Sequence, residues 1–502
     1  MQTKPAREAF AAAYAEQKPQ VVWTRLVTDV ETPVSAMLKL ADGLPYSFLL
    51  ESVEGGSIRG RYSLIGFKPD VIWRCRSGKA EINRRAHFDL TSFEPLADKP
   101  LDSLRALIKQ SQIDVPAELP PMAAGIYGYM GYDMVREMER IPDTNPDPLG
   151  LPDSIFMRPT VMVVFDRLED AALIITPVWP QQGVDANSAY DQACERLAHV
   201  LNDFRRSLPY RRDAGAVASS APLDVKSNMS KQSFKEMVRK AKEYIHAGDA
   251  FQIVPSQRFA VPFKLPPFAL YRSLRRINPS PFLIFFDFGD FSIVGSSPEI
   301  LVRLREDWVT VRPLAGTRRR GATPVEDKKL ADELLADPKE RAEHLMLLDL
   351  ARNDVGRVAQ IGSVRVTEQF VIERYSHVMH ISSNVDGVID PKYDALDALA
   401  AGFPPGTLSG APKVRAMEII EELEPERRGI YGGCAGYFAA NGSMDTCILV
   451  RTAVVKNDTM YVQAGAGVVA DSDLEAEYEE SVNKAKALVQ AAEEAIKSAQ
   501  QA

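Results

Sequence analysis

Residues 461–488 read YVQAGAGVVADSDLEAEYEESVNKAKAL, and they predict a strand, a tight glycine turn and then an acid-rich helix. Residues 461–464 alternate in the way of a strand, and the turn at 465–467 places glycine on either side of one alanine. Glycine lets a backbone approach a ligand with no Cβ in the way. Asp471 and Asp473 are typical of the start of a helix. We therefore expect bare backbone N–H groups close to the beginning of the acidic helix.

This helix carries Glu477 and Glu480, which lie three residues apart and so share a face. Bare N–H groups beside paired carboxylates indicate an anionic ligand, held directly on one side and through a metal on the other. A solvated acidic face would explain the same glutamates. The segment GAGVVA also fits the dinucleotide pattern G-x-G-x-x-A. We expect no nucleotide fold, because residues 471–473 separate the glycines from the helix.

Composition and charge narrow the class of protein. The 502 residues are 45% hydrophobic, and 60 basic against 68 acidic side chains give a net charge of −8. This length predicts two or three domains, and the acidic balance argues against a nucleic-acid partner. No segment is typical of a signal peptide or of a membrane span. We expect a cytoplasmic protein with reduced thiols, because no C-x-x-C pair occurs among its scattered cysteines, Cys75, Cys194, Cys434 and Cys447.

Short turns between strand-like segments predict antiparallel pairing. We expect such turns at residues 77–78, 289–290, 441–442 and 457–458. Helices are predicted over residues 187–207 and from Ser230, as N-cap, to Gly248. The sequence therefore predicts an α+β fold in which large antiparallel β-sheets are flanked by helices.

Residues 208–229, LPYRRDAGAVASSAPLDVKSNM, are poor in large apolar groups and rich in alanine, serine and proline. This composition is typical of a surface connection. It predicts a division of the chain into an N-terminal region, residues 1–207, and a C-terminal region, residues 230–502.

A second acidic helix is predicted to begin at Asp337, with proline and glutamate at its first and third helical positions. Helical spacing places Glu343, Leu347, Leu350 and Asp354 along one face. A carboxylate in line with leucines should face the interior, where an unpaired charge is costly.

Two explanations remain open for these carboxylates. Glu343 with Glu477 and Glu480 would give oxygen-only ligation, which suits Mg²⁺. Alternatively, Arg352 or Lys484 would neutralise them as an ion-pair partner.

Further polar candidates lie at the ends of strands or in glycine turns. Each has an ordinary explanation when it is taken alone: His380 is typical of a core histidine, and Arg451 of a buried salt-bridge partner. No nucleophile elbow, Ser-His-Asp order or Walker loop occurs in the sequence. The candidates are Gln252, Glu299, Gly316, Thr317, His380, Thr407, Tyr431 and Arg451.

Taken together, these segments closely resemble the chorismate-utilising enzymes, and within them the large subunits of anthranilate synthase. The resemblance runs in order from residue 251 to residue 488, and LLES at 49–52 extends it into the N-terminal region. It implies a lyase that converts chorismate and ammonia, with Mg²⁺, into anthranilate and pyruvate, the first step of tryptophan biosynthesis. The motifs that carry it are FQIVPSQRF, NPSPFLIFF, GSSPEILVR, RPLAGTRRRG, RAEHLMLLDLARNDVGRV, RYSHVMH, FPPGTLSGAPKVRAMEII, RRGIYGGCAGYF, CILVRTAVV, VQAGAGVVADSD and EESVNKAKAL.

The resemblance also implies roles for single residues. Glu343 and Glu480 match the Mg²⁺ ligands of the family, and Glu477 lies beside them. Glu299 matches the general acid that protonates the departing ring hydroxyl, for which burial should raise its pKa. The matches to contacts with the substrate carboxylates are Gly316, Thr317, Tyr431, Arg451, Gly465, Ala466 and Gly467.

His380 and Thr407 match positions near the ring, where they would serve the later loss of pyruvate. Isochorismate and salicylate synthases have a lysine in place of Gln252, and glutamine cannot deprotonate water, so ammonia is expected as the nucleophile. Aminodeoxychorismate synthases commonly carry a lysine in place of Ala315. That enzyme class therefore fits less well than anthranilate synthase.

The resemblance implies partners as well. The sequence carries no glutaminase segment, so we expect ammonia to come from a separate glutamine amidotransferase subunit in a hetero-oligomer. The segments around 49–52 and 278–283 match a feedback site for L-tryptophan, which would make the N-terminal region regulatory and the C-terminal region catalytic. A tryptophan-binding subunit without catalysis is the other class considered, and the acidic residues argue against it. The expected contacts of tryptophan are Ser52, Pro281, Phe282 and Leu283.

Overall fold

The computed structural model describes residues 2–54, 58–208, 223–375 and 378–501. Most of the predicted connection at 208–229 therefore lies outside the described residues, and the division into two regions stays a prediction. No helix within these ranges is long and apolar enough to cross a membrane. The helices are α1 (Arg7–Ala15), α2 (Pro33–Leu40), α3 (Pro100–Gln110), α4 (Ala186–Phe204), α5 (Lys231–Ala247), α6 (Pro267–Ile277), α7 (Pro324–Ala336), α8 (Pro338–Gly356), α9 (Ala395–Gly402), α10 (Lys413–Leu423) and α11 (Leu474–Gln501).

The strands come from both regions of the chain. They are β1 (Gln20–Val27), β2 (Ser47–Glu54), β3 (Ile58–Arg76), β4 (Lys79–Asn83), β5 (Glu94–Pro95), β6 (Gly125–Met130), β7 (Ser154–Asp166), β8 (Ala171–Val178), β9 (Lys226–Ser227), β10 (Gln252–Ile253), β11 (Ser256–Pro262), β12 (Phe282–Asp287), β13 (Ser292–Ser297), β14 (Ile300–Arg305), β15 (Trp308–Val311), β16 (Leu314–Arg319), β17 (Arg365–Arg374), β18 (Val378–Val388), β19 (Gly410–Ala411), β20 (Cys434–Ala439), β21 (Met444–Ile448), β22 (Thr452–Lys456) and β23 (Thr459–Gly465).

Two antiparallel sheets share the long strands β3 and β7. The first sheet runs in the order β9-β11-β23-β22-β13-β12-β2-β3-β7-β8-β1. The second runs β5-β4-β3-β7-β6-β20-β21-β14-β15-β18, and β16 and β17 both pair with β18. The predicted α+β fold with large antiparallel sheets is confirmed.

Alternating side chains place separate cores on the two faces of each sheet. On β12, Leu283 and Phe285 pack into a core with helices α1, α2, α4, α6 and α11. The intervening Ile284 and Phe286 pack into a second core with aromatic residues of β2 and β6. The other face of the second sheet packs against α3, α8, α9 and α10. The molecule is therefore layered as helices, sheet, sheet and helices.

Local sequence signals fix several boundaries in this frame. The Ser230 side chain accepts the Ser233 N–H at the start of α5, and Gly248 ends that helix with φ of 88°. The Asp337 carboxylate accepts the Lys339 N–H at 2.9 Å at the start of α8. The turns expected at 77–78, 289–290, 441–442 and 457–458 all lie between paired strands.

Asp354, on the inward face of α8, is neutralised by a lysine from another helix. Lys413 Nζ lies 3.0 Å from both carboxylate oxygens of Asp354 and 3.3 Å from the Gly402 carbonyl. Each side chain of this pair is only 10% exposed. The interior position that the sequence predicted is thus correct, and an ion pair resolves the cost of burying the charge.

We expect Asp354→Ala to lower the free energy of unfolding by about 3–5 kcal/mol, because it leaves a buried ammonium without its counter-charge. The control on the same helix is Asp349→Ala, which removes an exposed pair with Arg352 and should cost at most about 1 kcal/mol. Urea unfolding followed by circular dichroism measures both variants. Equal losses would contradict a stabilising role specific to the buried pair.

Candidate active site

The glycine turn after β23 packs against the chain between β10 and β11. The Ala466 N–H donates to the Pro255 carbonyl at 3.2 Å, and Lys484 Nζ donates to the Gly465 carbonyl at 3.0 Å. A Cβ on Gly465 would lie 2.5 Å from the Pro255 oxygen. The expectation of bare N–H groups is therefore wrong for Ala466, whose N–H is used within the fold. Glycine is needed at 465 for close packing.

Gly467 makes room for a contact between two polar side chains. A Cβ at this position would lie 2.7 Å from Gln252 Nε2 and 3.8 Å from Glu343 Oε1. Gln252 Nε2 donates to Glu343 Oε1 at 3.1 Å. The Oε1 atom of Gln252 is buried and has no hydrogen-bond partner among the described residues. A buried acceptor left in this state costs free energy until a ligand donates to it.

Two pairs of carboxylates lie close enough to interact across the site. Glu340 and Glu343 are three residues apart on α8, and Glu477 and Glu480 are three apart on α11. Burial raises the pKa of Glu343, and the charges of Glu340 and Glu480 raise it further. Burial also raises the pKa of Glu477, again with a contribution from Glu480. The two helices therefore concentrate negative charge at one place.

Cations neutralise only part of this charge. Arg318 donates to Glu340 at 2.8 Å, and Lys484 Nζ lies 2.7 Å from Glu480, so the ion-pair alternative holds for Glu480. Glu343 forms no ion pair within 4.0 Å in the part of the chain that the structure describes. The same ranges hold no ready-made cluster of three or more metal-ligating side chains. Carboxylates left without full compensation fit a cation that arrives together with an anionic ligand.

Glu299 follows β13 and is buried, with 8% of its surface exposed. The Leu314 N–H approaches one carboxyl oxygen and the Thr407 hydroxyl the other, each at 3.4 Å. Burial raises the pKa of Glu299 to about 8, although these donors and Arg451 act in the opposite direction. The carboxyl group therefore holds its proton at neutral pH, as a general acid must.

Arg451 connects β21 to β22 in a left-handed backbone conformation, with φ of 51°. Burial lowers the pKa of its guanidinium, while Tyr375 and Glu299 favour the charged form. No carboxylate of the described residues forms an ion pair with it. The expectation of a buried salt-bridge partner is thus wrong within these residues. A partly buried guanidinium with spare donors suits a carboxylate ligand.

His380 on β18 presents an unused ring nitrogen. Its Nδ1 lies 3.0 Å from the Gly316 carbonyl and 3.1 Å from the Thr317 hydroxyl. Because a carbonyl only accepts, Nδ1 carries the proton. The Nε2 atom is buried without a partner in the described chain, and burial lowers the pKa of the ring to about 4. His380 is therefore neutral at pH 7, with a lone pair free to accept a proton.

Electrostatic interactions join these groups into one region. Arg451 and Lys484 both lower the pKa of His380, after the larger effect of burial. Burial raises the pKa of Tyr431, and the charge of Glu480 raises it further. The Tyr431 hydroxyl accepts the Gly465 N–H. The residues expected to act in catalysis, on the metal and on the substrate thus lie together, and their individual roles stay predictions.

The residues expected to contact tryptophan line a separate, neighbouring cavity of about 770 Å³ between the sheets. Ser52, Pro281, Phe282 and Leu283 all line it. Strand pairing explains why distant segments meet here, since Leu283 of β12 lies opposite Glu51 of β2.

Sequence reasoning did not single out Glu340 for the site, and it named Lys484 only as a possible ion-pair partner of the carboxylates. Glu340 extends the carboxylates of α8, and Lys484 contacts both Glu480 and the glycine turn. The available signal was the repeat of Glu-x-x-Glu at 340–343 and 477–480. Two such pairs on two helices indicate facing carboxylates more strongly than one pair does.

Comparison with known proteins gives the class of the molecule. The model of the chorismate binding enzymes matches residues 54–490. The chain therefore belongs to the chorismate binding enzyme family.

Relatives within this family are more specific. Anthranilate synthase component 1 of Cereibacter sphaeroides is 60% identical over 488 residues, which is 97% of each chain. The component 1 of Pseudomonas putida is 48% identical over 470 residues, or 93% of each. The crystal structure of anthranilate synthase component I from Streptococcus pneumoniae is 39% identical, with a TM-score of 0.74 over 86% of this chain and 93% of that one. The menaquinone-specific isochorismate synthase of Escherichia coli, at 18% identity and a TM-score of 0.70 over 97% of this chain and 98% of that one, shares the fold.

Proposed function

We propose that this chain is the chorismate-converting component of an anthranilate synthase, a cytoplasmic lyase that makes anthranilate and pyruvate from chorismate and ammonia. The identity to component 1 enzymes over almost the whole chain supports this reaction. The structural observation that carries it is the buried carboxyl of Glu299, whose pKa burial raises to about 8, together with Arg451, which forms no ion pair among the described residues.

Glu299 supplies the proton that the reaction needs first. The ring hydroxyl of chorismate leaves as water when it takes this proton and its C–O bond breaks. Arg451, by binding a substrate carboxylate in two parallel hydrogen bonds, would keep the ring beside the acid. The Thr407 hydroxyl and the Leu314 N–H keep the acid in position.

Gln252 favours ammonia as the nucleophile. Its amide N–H is committed to Glu343, which leaves the buried Oε1 as an acceptor. An ammonia molecule can donate to this oxygen and keep its lone pair for attack on the ring. Ala315 offers no amine that could compete as a nucleophile.

Loss of pyruvate requires a base, because the ring loses a proton as the enolpyruvyl C–O bond breaks. The unprotonated Nε2 of His380 is suited to accept that proton. The Gly316 carbonyl fixes this tautomer by holding the proton on Nδ1.

Glu343 and Glu480, with Glu477 beside them, are the proposed ligands of Mg²⁺. The bound ion would offset the negative charge of a substrate carboxylate. Lys484 occupies Glu480 through an ion pair that is half-exposed and therefore weak enough to exchange.

The proposed partners follow from the substrates. Ammonia would come from a glutamine amidotransferase subunit in a hetero-oligomer, which the designation component 1 of the relatives also favours. L-Tryptophan is the proposed inhibitor, and the cavity at Ser52 and residues 281–283 is its proposed site.

The proposal is tested by mixing the purified chain with chorismate, Mg²⁺ and ammonium and following anthranilate by its fluorescence. Anthranilate should form with ammonium salts, and glutamine should not replace them. Chromatography identifies the product. Isochorismate or aminodeoxychorismate in place of anthranilate would overturn the proposal.

The rate should depend on the proton of Glu299. With free ammonia held constant, kcat should fall as the pH passes about 8, because the carboxyl group ionises there and loses the proton it must donate. Glu299→Gln should remove this limb of the profile and lower kcat by about 100- to 10,000-fold. Glu299 would be ruled out as the acid if the rate of the parent enzyme stayed level up to about 1.5 pH units above that pKa.

Glu343→Gln and Glu480→Gln should each raise the Mg²⁺ concentration that gives half-maximal rate. Loss of a direct ligand should raise this concentration by at least about 10- to 100-fold, the loss of affinity typical when a partner that only supports a metal ligand is removed. The control is Glu479→Gln on α11, an exposed residue near Lys231. If the three variants required the same Mg²⁺ concentration, the carboxylates of α8 and α11 would not be the ligands.

Ser52→Phe should relieve inhibition by tryptophan while leaving the uninhibited rate nearly unchanged. Ser52 packs against Gly60, where even a Cβ would lie 2.5 Å from the serine Oγ, so a phenyl ring must occupy the cavity instead. The concentration of tryptophan for half inhibition should rise by about 5- to 150-fold. Ser52→Ala, which adds no bulk, separates the loss of a hydroxyl from obstruction. Unchanged inhibition in Ser52→Phe would move the effector site elsewhere.

A further inference from the structure

A thin wall separates the cavity between the sheets from the catalytic carboxyl group. Pro298, Leu314 and Tyr375 line the cavity on one side. On the other side each is close to Glu299. Pro298 precedes it in the chain, the Leu314 N–H approaches its carboxyl oxygen at 3.4 Å, and the Tyr375 hydroxyl lies 3.5 Å from the Pro298 carbonyl. A ligand in the cavity would therefore lie one residue away from the general acid.

Charged and polar side chains connect the cavity to this wall. Arg312 and Glu373 line the cavity, and Arg312 Nε donates to Glu373 Oε1 at 2.6 Å. The Tyr375 hydroxyl donates to the other oxygen, Glu373 Oε2, at 2.7 Å. The Glu373 carboxylate thus accepts hydrogen bonds from Arg312, which lies between β15 and β16, and from Tyr375, which follows β17. We name these three residues the Arg312–Glu373–Tyr375 relay.

The far end of this relay contacts the catalytic residues. The ring of Tyr375 meets the ring of His380 edge-on, with 5.5 Å between centroids. Tyr375 also lies near Arg451 and Glu299, since it raises the pKa of Arg451, which burial lowers, and the charge of Glu299, after the larger effect of burial, raises its own. Its backbone is held in place, because Arg320 donates to its carbonyl at 2.6 Å and its N–H donates to the Val378 carbonyl at 2.8 Å. A change at the hydroxyl would therefore tilt the side chain rather than move the strand.

We propose that the Arg312–Glu373–Tyr375 relay transmits occupancy of the cavity to Glu299 and His380. This inference rests on the proposed tryptophan site. The ammonium and carboxylate groups of an α-amino acid are complementary to Glu373 and Arg312. A ligand that takes Glu373 as partner competes with the Tyr375 hydroxyl, whose release lets the ring shift against His380. Tyr375 is a positioning residue in this scheme and makes no bond to the reacting atoms.

The scheme makes binding and inhibition separable. Tyr375→Phe keeps the ring, and hence the packing on His380, but removes the hydroxyl that donates to Glu373. Tryptophan should still bind, because Arg312 and Glu373 remain in the cavity. What should be lost is its effect on catalysis. A purely structural role of Tyr375 would instead change thermal stability or chorismate KM and leave inhibition intact.

The experiment measures two quantities on the full chain with chorismate, Mg²⁺ and ammonium. Isothermal titration gives the Kd of tryptophan without chorismate, and anthranilate fluorescence gives the factor by which saturating tryptophan weakens kcat/KM. Allosteric factors are typically about 5- to 150-fold. In Tyr375→Phe this factor should fall to below about twofold, while Kd stays within about threefold of the parent value. Glu373→Gln, which keeps shape and removes charge, should lose the factor as well.

Tyr62→Phe is the matched control, since Tyr62 lines the same cavity but packs against Arg61. It should retain both binding and inhibition. Inhibition of Tyr375→Phe and Glu373→Gln equal to that of the parent would overturn the relay. In Tyr375→Phe, loss of binding in parallel with inhibition would make Tyr375 part of the effector site and also overturn the relay. Weaker binding by Glu373→Gln is expected, because Glu373 is the proposed partner of the ammonium group. A parent enzyme that binds no tryptophan overturns the proposed effector site itself, and the relay with it.

Discussion

Removal of the Glu299 carboxyl group from water is the constraint on which the site depends. The rise of its pKa from 4.5 to about 8 corresponds to about 5 kcal/mol of preference for the neutral form. Strands from both sheets and the loop that carries Thr407 enclose the group, and its two neighbouring donors lie at 3.4 Å, too far to stabilise the anion strongly. A shorter hydrogen bond to the carboxyl group, or an ion pair with an arginine, would lower its pKa, and the group would then lose its proton at neutral pH. The nearby cation, Arg451, is instead left without an ion pair among the described residues, which suits its proposed role in binding a carboxylate.

The other charged side chains of the site are also left partly without counter-charges. Carboxylates on α8 and α11 gather on one side of the site, where Lys484 pairs with Glu480, and Arg451 lies near Glu299 and His380. Each sign is left partly uncompensated. This costs stability in the free protein, but a dicarboxylate ligand together with a divalent cation would satisfy both sides at once. The charges of the free protein would thus already be complementary to the proposed substrate and metal.

Sequence reasoning succeeded where the cause of a structure is local. Ser230, Gly248 and Asp337 delimit helices through contacts within four residues, and two-residue turns set the strand pairs that follow them. It failed where the partner is remote in the chain. The inward Glu343–Asp354 face gave no hint that Lys413 neutralises Asp354, and the glycine turn gave no hint that Pro255 takes the Ala466 N–H. The site roles came from the resemblance, since spacing alone left a metal and an ion pair equally open for Glu343.

The sheet itself explains why a side-chain relay is needed between two sites so close together. Ser52 follows Glu51, which pairs with Leu283 of β12, and the adjacent Phe282 pairs with Ser297, two residues before Glu299. The proposed effector contacts therefore lie on or next to neighbouring strands of one antiparallel ladder, and Glu299 lies just after the next strand, β13. Such a ladder is close-packed on both faces and resists small displacements. The relay side chains come from outside this ladder, at the β15–β16 connection and the end of β17, so they can exchange partners without distorting the strands that hold both sites.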